Sequence, residues 1–184
     1  MARYVALLRG INVGGKNAIP MPALKATFED HGFDEVRTYI QSGNVVFSTP
    51  TSSQAALTRE IERMISTAFA HYDASVVLRS RSQMRAVVDR APKGFGAEPS
   101  NYRYDVVFLK APLTAKTAGK DVPIKEGVDR LWVGTGVLYS SRLISRATQS
   151  RFSRIVSLPA YKQMTIRNWN TTTKLAELVN EKGD

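Results

Sequence analysis

The chain contains 184 residues, of which 43% are hydrophobic, and it carries a formal net charge of +10 without a single cysteine. The missing cysteines exclude disulfides, thiol nucleophiles and iron–sulfur clusters, and two histidines are too few for an ordinary zinc site, so we expect neither a metal nor a cofactor. No apolar run approaches the roughly 18 residues that cross a bilayer, and the start of the chain lacks a signal-peptide pattern, so we expect a cytoplasmic protein without a membrane partner.

The positive charge is unevenly distributed along the chain. No aspartate or glutamate occurs between Arg130 and Ala176, whereas that stretch contains eight lysines and arginines. A second acid-free stretch covers residues 1–28 and holds four cations. Segregated positive charge attracts anions and favours phosphate contacts, although a basic surface can also serve solubility alone. Both interpretations stay open at this level.

Hydrophobic periodicity in the first half of the chain predicts alternating strands and helices. Gly32 stands where a glycine commonly ends a helix, and Ser42-Gly43 has the composition of a two-residue hairpin turn. The predicted elements are a strand at 4–8, a loop at 11–22, a helix at 21–31, strands at 36–40 and 44–47, a helix at 52–70 and a strand at 75–78. This β-α-β-β-α-β order is that of a ferredoxin-like unit.

The pattern restarts after residues 93–100, which contain glycine and proline and predict a domain boundary. The elements on either side are a helix at 82–91, a strand at 104–109, a helix at 114–119, strands at 130–133 and 137–140, a helix at 149–156, a strand at 165–167 and a final helix from Asn170 to about residue 180. The sequence therefore predicts an α+β fold of two ferredoxin-like subdomains packed together, residues 1–92 with a connecting helix and residues 101–184.

The first candidate site is the glycine-rich loop at residues 9–17, which follows the first predicted strand. From Gly10 it matches the phosphate-loop spacing G-x-x-x-x-G-K, but an asparagine replaces the hydroxyl residue that binds magnesium, and Pro20 and Pro22 prevent a helix from starting there. A nucleotidase loop is therefore disfavoured. The loop either wraps an anion through backbone N–H groups or is a tight structural loop that needs its glycines. Its candidate ligand-binding residues are Arg9, Asn12, Gly14, Gly15, Lys16 and Asn17.

The second candidate site is the turn of the first predicted hairpin, where polar side chains are concentrated. Amide side chains on this turn either brace it or offer neutral donors and acceptors to a ligand held by the neighbouring loop. An aromatic side chain just before the turn is able to stack on a ring of the ligand. The candidate ligand-binding residues are Tyr39, Gln41, Ser42 and Asn44.

The third candidate site is the entry to the last predicted helix. Asn170 suits the N-cap position, so the positive end of the helix dipole would lie near Arg167. An arginine can bind a phosphate or carboxylate through two hydrogen bonds. Trp169 is either a stacking platform for a base or a buried core anchor. The candidate ligand-binding residues are Arg167, Asn168, Trp169, Asn170 and Lys174.

No catalytic arrangement is recognisable in the sequence. It contains neither a Ser-His-Asp pattern nor an H-E-x-x-H motif. The acidic residues of the first half cluster around a predicted helix end, as a solvated surface would. The sequence therefore assigns no catalytic residue, and whether the chain is an enzyme stays open.

Several of these segments together resemble a bacterial family called domain of unknown function 1697. The resemblance is strongest over residues 8–15, 38–47 and 165–175, with Met21 and Leu24 between the first two, and it extends over essentially the whole chain. It implies an α+β protein of two ferredoxin-like subdomains. It implies no activity, cofactor or catalytic residue.

We expect an anion-binding protein whose ligand is a nucleotide or a nucleic acid segment, held in a basic cleft between the subdomains where the three candidate sites meet. Arg9, Lys16, Arg167 and Lys174 would neutralise phosphates, while the aromatic and amide side chains would stack on and orient the ligand. Two alternatives stay open: an enzyme that acts on a phosphorylated small molecule, and a non-catalytic scaffold or interaction subunit.

Overall fold

The computed structural model describes residues 1–51 and 53–181 and shows an α+β protein with two four-stranded antiparallel sheets. The helices are α1 (Met21–Asp30), α2 (Gln54–Ala68), α3 (Arg81–Asp89), α4 (Ala115–Asp121) and α5 (Trp169–Asn180). The strands are β1 (Ala2–Leu8), β2 (Asp34–Tyr39), β3 (Asn44–Thr49), β4 (Val76–Ser80), β5 (Tyr102–Leu109), β6 (Asp129–Val133), β7 (Val137–Leu143) and β8 (Met164–Asn168). Three 3₁₀ segments lie between β7 and β8, at Ile144–Gln149, Phe152–Ser157 and Pro159–Gln163.

The chain divides into two compact units. The first comprises Met1–Arg85 with the described part of Lys174–Asp184, and the second comprises Ala86–Thr173. The division passes through α3 and α5, and the connector at residues 93–100, predicted as a boundary, lies within the second unit. None of the helices in the described residues is long and apolar enough to span a membrane.

The first unit forms around the sheet β2-β3-β1-β4, in which β1 is paired on both sides. The apolar side chains of α1 and α2 pack with one face of this sheet in a single core. Phe28, Phe33 and Phe47 lie in that core with ring centroids 4.8–5.6 Å apart. Burying such large apolar side chains is the main favourable contribution to folding.

The elements of the first unit follow the predicted order, with shifted ends. α2 is shorter at both ends than predicted, and its predicted first residue, Ser52, lies outside the described residues. The predicted two-residue hairpin turn is wrong. Tyr39 pairs with Asn44, so four residues connect β2 and β3, and Ile40 and Gly43 close the connection with positive φ angles of 50° and 81°.

The second unit has the equivalent strand order, β6-β7-β5-β8. One face of this sheet packs with α4 and with the 3₁₀ segments in a separate core. The predicted α-helix at 149–156 is wrong, because the chain forms 3₁₀ turns there. Phe152 and Ile155 are three residues apart and both pack in that core, which matches the three residues per turn of a 3₁₀ helix, and Leu158, just after this segment, packs against the same core.

The last strand and helix meet at Asn168. The predicted strand at 165–167 is present as β8, but α5 begins at Trp169, so the predicted N-cap at Asn170 is wrong. Asn168 occupies the N-cap position instead. Its side-chain oxygen accepts a hydrogen bond of 2.8 Å from the backbone N–H of Thr171, which satisfies one of the free N–H groups of the first turn.

Replacing Asn168 with alanine removes this cap, and we expect the free energy of unfolding to fall by about 1 kcal/mol. Asn168→Asp is the matched control, because a carboxylate keeps the acceptor and places a negative charge at the positive end of the helix. Thermal unfolding followed by circular dichroism measures both variants. Equal destabilisation by alanine and aspartate would contradict the capping role.

Candidate functional site

The second unit has an open cleft at the end of its sheet. β8 pairs with β5 only from Asp105 to Leu109, so residues 102–104 of β5 extend beyond β8, at the point where β8 ends and α5 begins. The cleft has a volume of about 550 Å³. The residues that line this Trp169 cleft are Gly96, Pro99, Tyr102, Arg103, Tyr104, Arg142, Ile144, Ala147, Asn168, Trp169 and Asn170.

Two arginines of the cleft lie directly opposite each other on neighbouring strands. Arg103 of β5 is the register partner of Arg142 of β7, so both side chains project from the same face of the sheet. Like charges at directly opposed positions of a sheet repel each other and are destabilising. An arrangement of this kind favours a bound anion, because the anion relieves the repulsion.

Two carboxylates, Asp105 and Asp129, lie near this arginine pair. Nε of Arg103 donates a hydrogen bond of 3.3 Å to Asp105, whose carboxyl is buried while the Arg103 side chain is 60% exposed. Burial raises the pKa of Asp105, and the charges of Arg103 and Arg142 oppose that shift only in part. The second carboxylate, Asp129 of β6, is the register partner of Arg142 and accepts hydrogen bonds from Ser150 and from the backbone N–H groups of Lys125 and Arg151. The two guanidinium groups line the cleft and neither carboxylate does, so the charge that the cleft lining presents is positive.

Aromatic side chains form the other part of the cleft wall, and they project from the face of β5 opposite to Arg103, so the cleft extends around the edge of this strand. Tyr102 and Tyr104 occupy alternate positions of β5 and lie with ring centroids 6.1 Å apart. The guanidinium carbon of Arg130 lies 5.9 Å from the centroid of the Tyr102 ring, within cation–π range. These half-buried rings offer flat apolar surface that a planar ligand is able to cover.

The indole of Trp169 is held by the connector at residues 93–100. Phe95 packs edge-to-face on Trp169 with centroids 5.0 Å apart, and it makes similar contacts with Tyr104, Trp132 and Tyr139. Trp169 is half-buried and lines the cleft. The indole is therefore both packed against the connector and accessible from the cleft.

Three residues of the third predicted segment, Asn168, Trp169 and Asn170, line the cleft. Arg167 does not. It is 7% exposed, and its Nη1 donates a hydrogen bond of 2.9 Å to the backbone oxygen of Ile166. The arginines that line the cleft are Arg103 and Arg142, and the predicted role of Arg167 in anion binding stays a prediction.

Lys174, the last residue of that predicted segment, belongs to the first unit. Its Nζ donates a hydrogen bond of 3.0 Å to Glu177. This hydrogen bond, together with the charge of Glu177, raises the pKa of Lys174. The ammonium group is therefore already paired with a carboxylate one helical turn away.

The predicted glycine-rich loop is a short hairpin in the first unit. Asn12 donates its backbone N–H to Asn17, and Lys16 donates its backbone N–H to Val13, with Gly14 and Gly15 at the tip. The two glycines have φ angles of 58° and 73°, which a tight two-residue turn of this hand requires. These hydrogen bonds engage two N–H groups that a phosphate cradle would direct at its ligand.

The structure brings this loop together with the predicted polar turn. The side-chain nitrogen of Asn12 donates hydrogen bonds to the backbone oxygens of Gln41 and Ile19, and that of Asn17 donates to the backbone oxygen of Gly10. A Cβ added at Gly43 would lie 2.6 Å from the Ile11 side chain, so the close contact between turn and loop needs this glycine.

Asn44 braces the turn from within. It is fully buried, and its side-chain nitrogen donates to the backbone oxygen of Tyr39 and to the hydroxyl of Ser42. The predicted meeting of these two segments with residues 167–173 joins parts of different units and stays a prediction.

The sequence analysis missed the residues that shape the Trp169 cleft most directly: Gly96, Tyr102, Arg103, Tyr104 and Arg142. Arg103 and Arg142 become neighbours only through the register of β5 with β7. The sequence did contain one indication of these residues, the alternation Tyr102-Arg103-Tyr104. In a strand this alternation places aromatic side chains on one face and a cationic side chain on the other. Within the described residues, no group of three or more histidine and acidic side chains could hold a metal ion.

Residues 1–139 match a family model whose description is "Protein of unknown function (DUF1697)". Among solved structures, the chain is similar to the conserved bacterial protein SP0830 from Streptococcus pneumoniae, with a TM-score of 0.84 and 25% identity over 97% of this chain and 99% of that one. A comparison with curated proteins finds no match. Because the matched span covers well over half of its residues, and in agreement with the resemblance noted in the sequence, the chain belongs to the family described as protein of unknown function DUF1697.

Proposed function

We propose that this protein binds an anionic ligand with a planar ring, a nucleotide or a nucleic acid segment, in the Trp169 cleft. The observation that carries the proposal is the directly opposed pair Arg103 and Arg142, which lines the same cleft as the aromatic side chains of the opposite face of β5. Guanidinium groups bind phosphate oxygens through paired, charge-assisted hydrogen bonds. A bound phosphate would offset the repulsion between the two guanidinium groups.

The remaining cleft residues suit the other parts of a nucleotide. Tyr102, Tyr104 and Trp169 provide flat surfaces on which a base is able to stack. Asn170 is exposed at the cleft wall and has both a donor and an acceptor for base or sugar edges. A volume of about 550 Å³ lies in the range of ordinary small-ligand sites.

Binding, and not catalysis, is the function that this cleft supports. The carboxylate at its edge, Asp105, is buried and hydrogen-bonded to Arg103. A general base must reach a proton on the substrate, and a carboxylate engaged in this way is poorly placed to do so. The enzyme and scaffold alternatives have no comparable observation in their favour.

We also propose that each unit is a ferredoxin-like fold. The strand orders β2-β3-β1-β4 and β6-β7-β5-β8 are equivalent, and the first unit has one helix after β1 and another after β3. In the second unit the 3₁₀ segments stand in the place of the second helix. The sheet has all four strands although the 3₁₀ segments replace the second helix. The first of these segments also forms part of the cleft wall, because Ile144 and Ala147 line the cleft.

Titration calorimetry with adenosine monophosphate, adenosine and inorganic phosphate tests the binding proposal. We expect the monophosphate to bind more tightly than either part. Arg103→Ala and Arg142→Ala should each weaken its binding by about 10-fold or more, as loss of a hydrogen bond to a charged group costs about 1.5–3 kcal/mol. Lys116→Ala, which removes an exposed charge from α4, is the matched control. Unchanged affinity in both arginine variants would contradict the proposal.

A further inference from the structure

We propose that the ligand of the Trp169 cleft is a single-stranded nucleic acid that continues from the cleft onto a basic ridge formed by Arg146, Arg151 and Arg154. This inference rests on the proposed function and specifies its ligand. Arg146 and Arg154 belong to the first two 3₁₀ segments that follow β7, Arg151 lies between these segments, and all three arginines are exposed.

The net positive charge of the second unit is larger than the charge needed to neutralise the phosphate of one nucleotide. Residues 86–173 contain fourteen lysines and arginines against six acidic residues, a net charge of +8, whereas the rest of the chain has a net charge of +2. A terminal phosphate carries about two negative charges, which Arg103 and Arg142 are sufficient to neutralise. The surplus therefore indicates a ligand with several phosphates.

The 3₁₀ geometry places two of the ridge arginines, Arg151 and Arg154, on one side of the chain. Arg151 and Arg154 are three residues apart, and the backbone N–H of Arg154 donates to the oxygen of Arg151. Side chains three residues apart in a 3₁₀ turn project in the same direction. Phe152 and Ile155, also three apart, are 5% and 1% exposed in the core, so the two arginines project away from it.

The ridge continues directly from the wall of the cleft. Ile144 and Ala147, which line the cleft, belong to the same 3₁₀ segment as Arg146. Arg151 is four positions after Ala147, so their Cα atoms lie within ~14 Å of each other. Stacked nucleotides advance ~3.4 Å each along a strand, so a segment of a few nucleotides covers this distance.

The side chains of the ridge arginines have no acidic partners in the described part of the chain, although the backbone N–H of Arg151 donates to Asp129. Arg151 and Arg154 make no ion pair with any residue of 1–51 or 53–181, and Arg146 donates a hydrogen bond of 2.9 Å to the neutral side chain of Gln149. Positive charges that the protein does not neutralise itself are available to phosphates, and each contact releases counterions from the nucleic acid.

The aromatic wall of the cleft selects a single strand over a duplex. Bases in a duplex are stacked on each other and paired, so their faces are hidden from protein side chains. A single strand exposes base faces that Tyr102, Tyr104 and Trp169 are able to cover, which contributes about 1–3 kcal/mol per base in known complexes. The combination of aromatic cleft and basic ridge therefore fits an unpaired strand.

Fluorescence anisotropy of the full-length protein tests this inference with oligouridine and oligothymidine of about 12 nucleotides, a duplex of equal length and uridine monophosphate. We expect both single strands to bind at least about 10-fold more tightly than the monophosphate and the duplex, with binding that weakens steeply from about 50 to 200 mM salt. In the Arg151→Ala/Arg154→Ala variant the logarithmic salt slope should fall by about 1.4, since each single-strand phosphate contact contributes ~0.7.

The control variant is Arg59→Ala/Arg63→Ala, which removes two exposed charges from α2 of the first unit and should leave the slope unchanged. Equal affinity for the monophosphate and the single strands, with no effect of the ridge variant, would overturn this inference and leave the proposed function in place. Equal or tighter binding of the duplex would overturn the single-strand assignment. Failure of the monophosphate and of every oligonucleotide to bind would overturn the inference and the proposed function together.

Discussion

Replacing Asp129 with alanine is expected to lower the free energy of unfolding by about 4 kcal/mol, one of the largest effects of any single substitution in this chain. Asp129 is 3% exposed. It accepts hydrogen bonds of 2.6 Å from the hydroxyl of Ser150 and 2.8 Å from the backbone N–H groups of Lys125 and Arg151. Alanine would leave these donors without an acceptor, and a buried unsatisfied donor costs about 1–3 kcal/mol.

The effect should be large because Asp129 joins two parts of the second unit. It stands at the start of β6 and holds both the turn that precedes this strand and the link between the first two 3₁₀ segments. Urea unfolding measures the difference, with Glu126→Ala as the control because it removes an exposed acidic group nearby. A shift for Asp129→Ala no larger than that for Glu126→Ala would contradict this role.

The same carboxylate predicts a pH dependence of stability. Burial acts to raise the pKa of Asp129, but hydrogen bonds from Ser150 and from backbone N–H groups, led by that of Arg151, outweigh it, so the pKa is lowered. A carboxyl with a lowered pKa in the folded state stabilises the protein above its unfolded pKa of ~3.9. This contribution is lost as the pH falls through the folded pKa. Urea midpoints measured across the acidic range should therefore decline more steeply in the wild type than in Asp129→Asn.

The element order could be predicted because it depends on local pattern. In α2, Leu57, Ile61 and Ile65 recur every four residues and are fully buried, as the helical period requires. The strands could be predicted equally well, because short apolar runs bounded by glycine or polar residues are typical of strands. The ends of the helices and strands were less predictable. Hydrogen-bond pairing and capping determine where an element ends, and hydrophobic periodicity does not report on either.

The 3₁₀ segments show where local pattern is ambiguous. Apolar residues at positions 152 and 155 fit one face of an α-helix as well as one face of a 3₁₀ helix. Pro159 decides against a long α-helix, because it cannot donate the backbone hydrogen bond that such a helix would need there. Packing in the tertiary core then favours a spacing of three residues between apolar side chains, because Leu158 also packs in that core.

The cleft could be predicted only in part, because it depends on long-range register. Asn168, Trp169 and Asn170 were recognisable from their position at the start of a helix. Arg103 and Arg142 lie far apart in the chain and become opposed through strand pairing, which composition and spacing do not reveal. Phe95 was missed for the same reason, since its contacts come from three strands and α5.

Replacing Gly96 with alanine is expected to damage stability and ligand binding together. Gly96 has a φ of 82°, and a Cβ there would collide with Nε1 and the adjoining ring carbon of Trp169. The indole has little room to yield, because Phe95 packs edge-to-face on it. The backbone strain and the displaced ring together should lower the free energy of unfolding by about 3 kcal/mol. The shifted indole should weaken nucleotide binding by about 10-fold or more, since stacking on one ring contributes about 1–3 kcal/mol.

The variant Gly94→Ala distinguishes backbone strain from displacement of the indole as the cause of the lower stability and weaker binding. Gly94 has a similar φ of 77°, but a Cβ there would meet nothing within 4 Å. Alanine at position 94 therefore introduces the same backbone strain without touching the indole. Urea unfolding and calorimetry with adenosine monophosphate should show a smaller loss of stability and unchanged affinity for Gly94→Ala. If the two variants lose stability and affinity equally, the indole is not held by the connector, and Trp169 cannot act as a fixed stacking surface of the cleft.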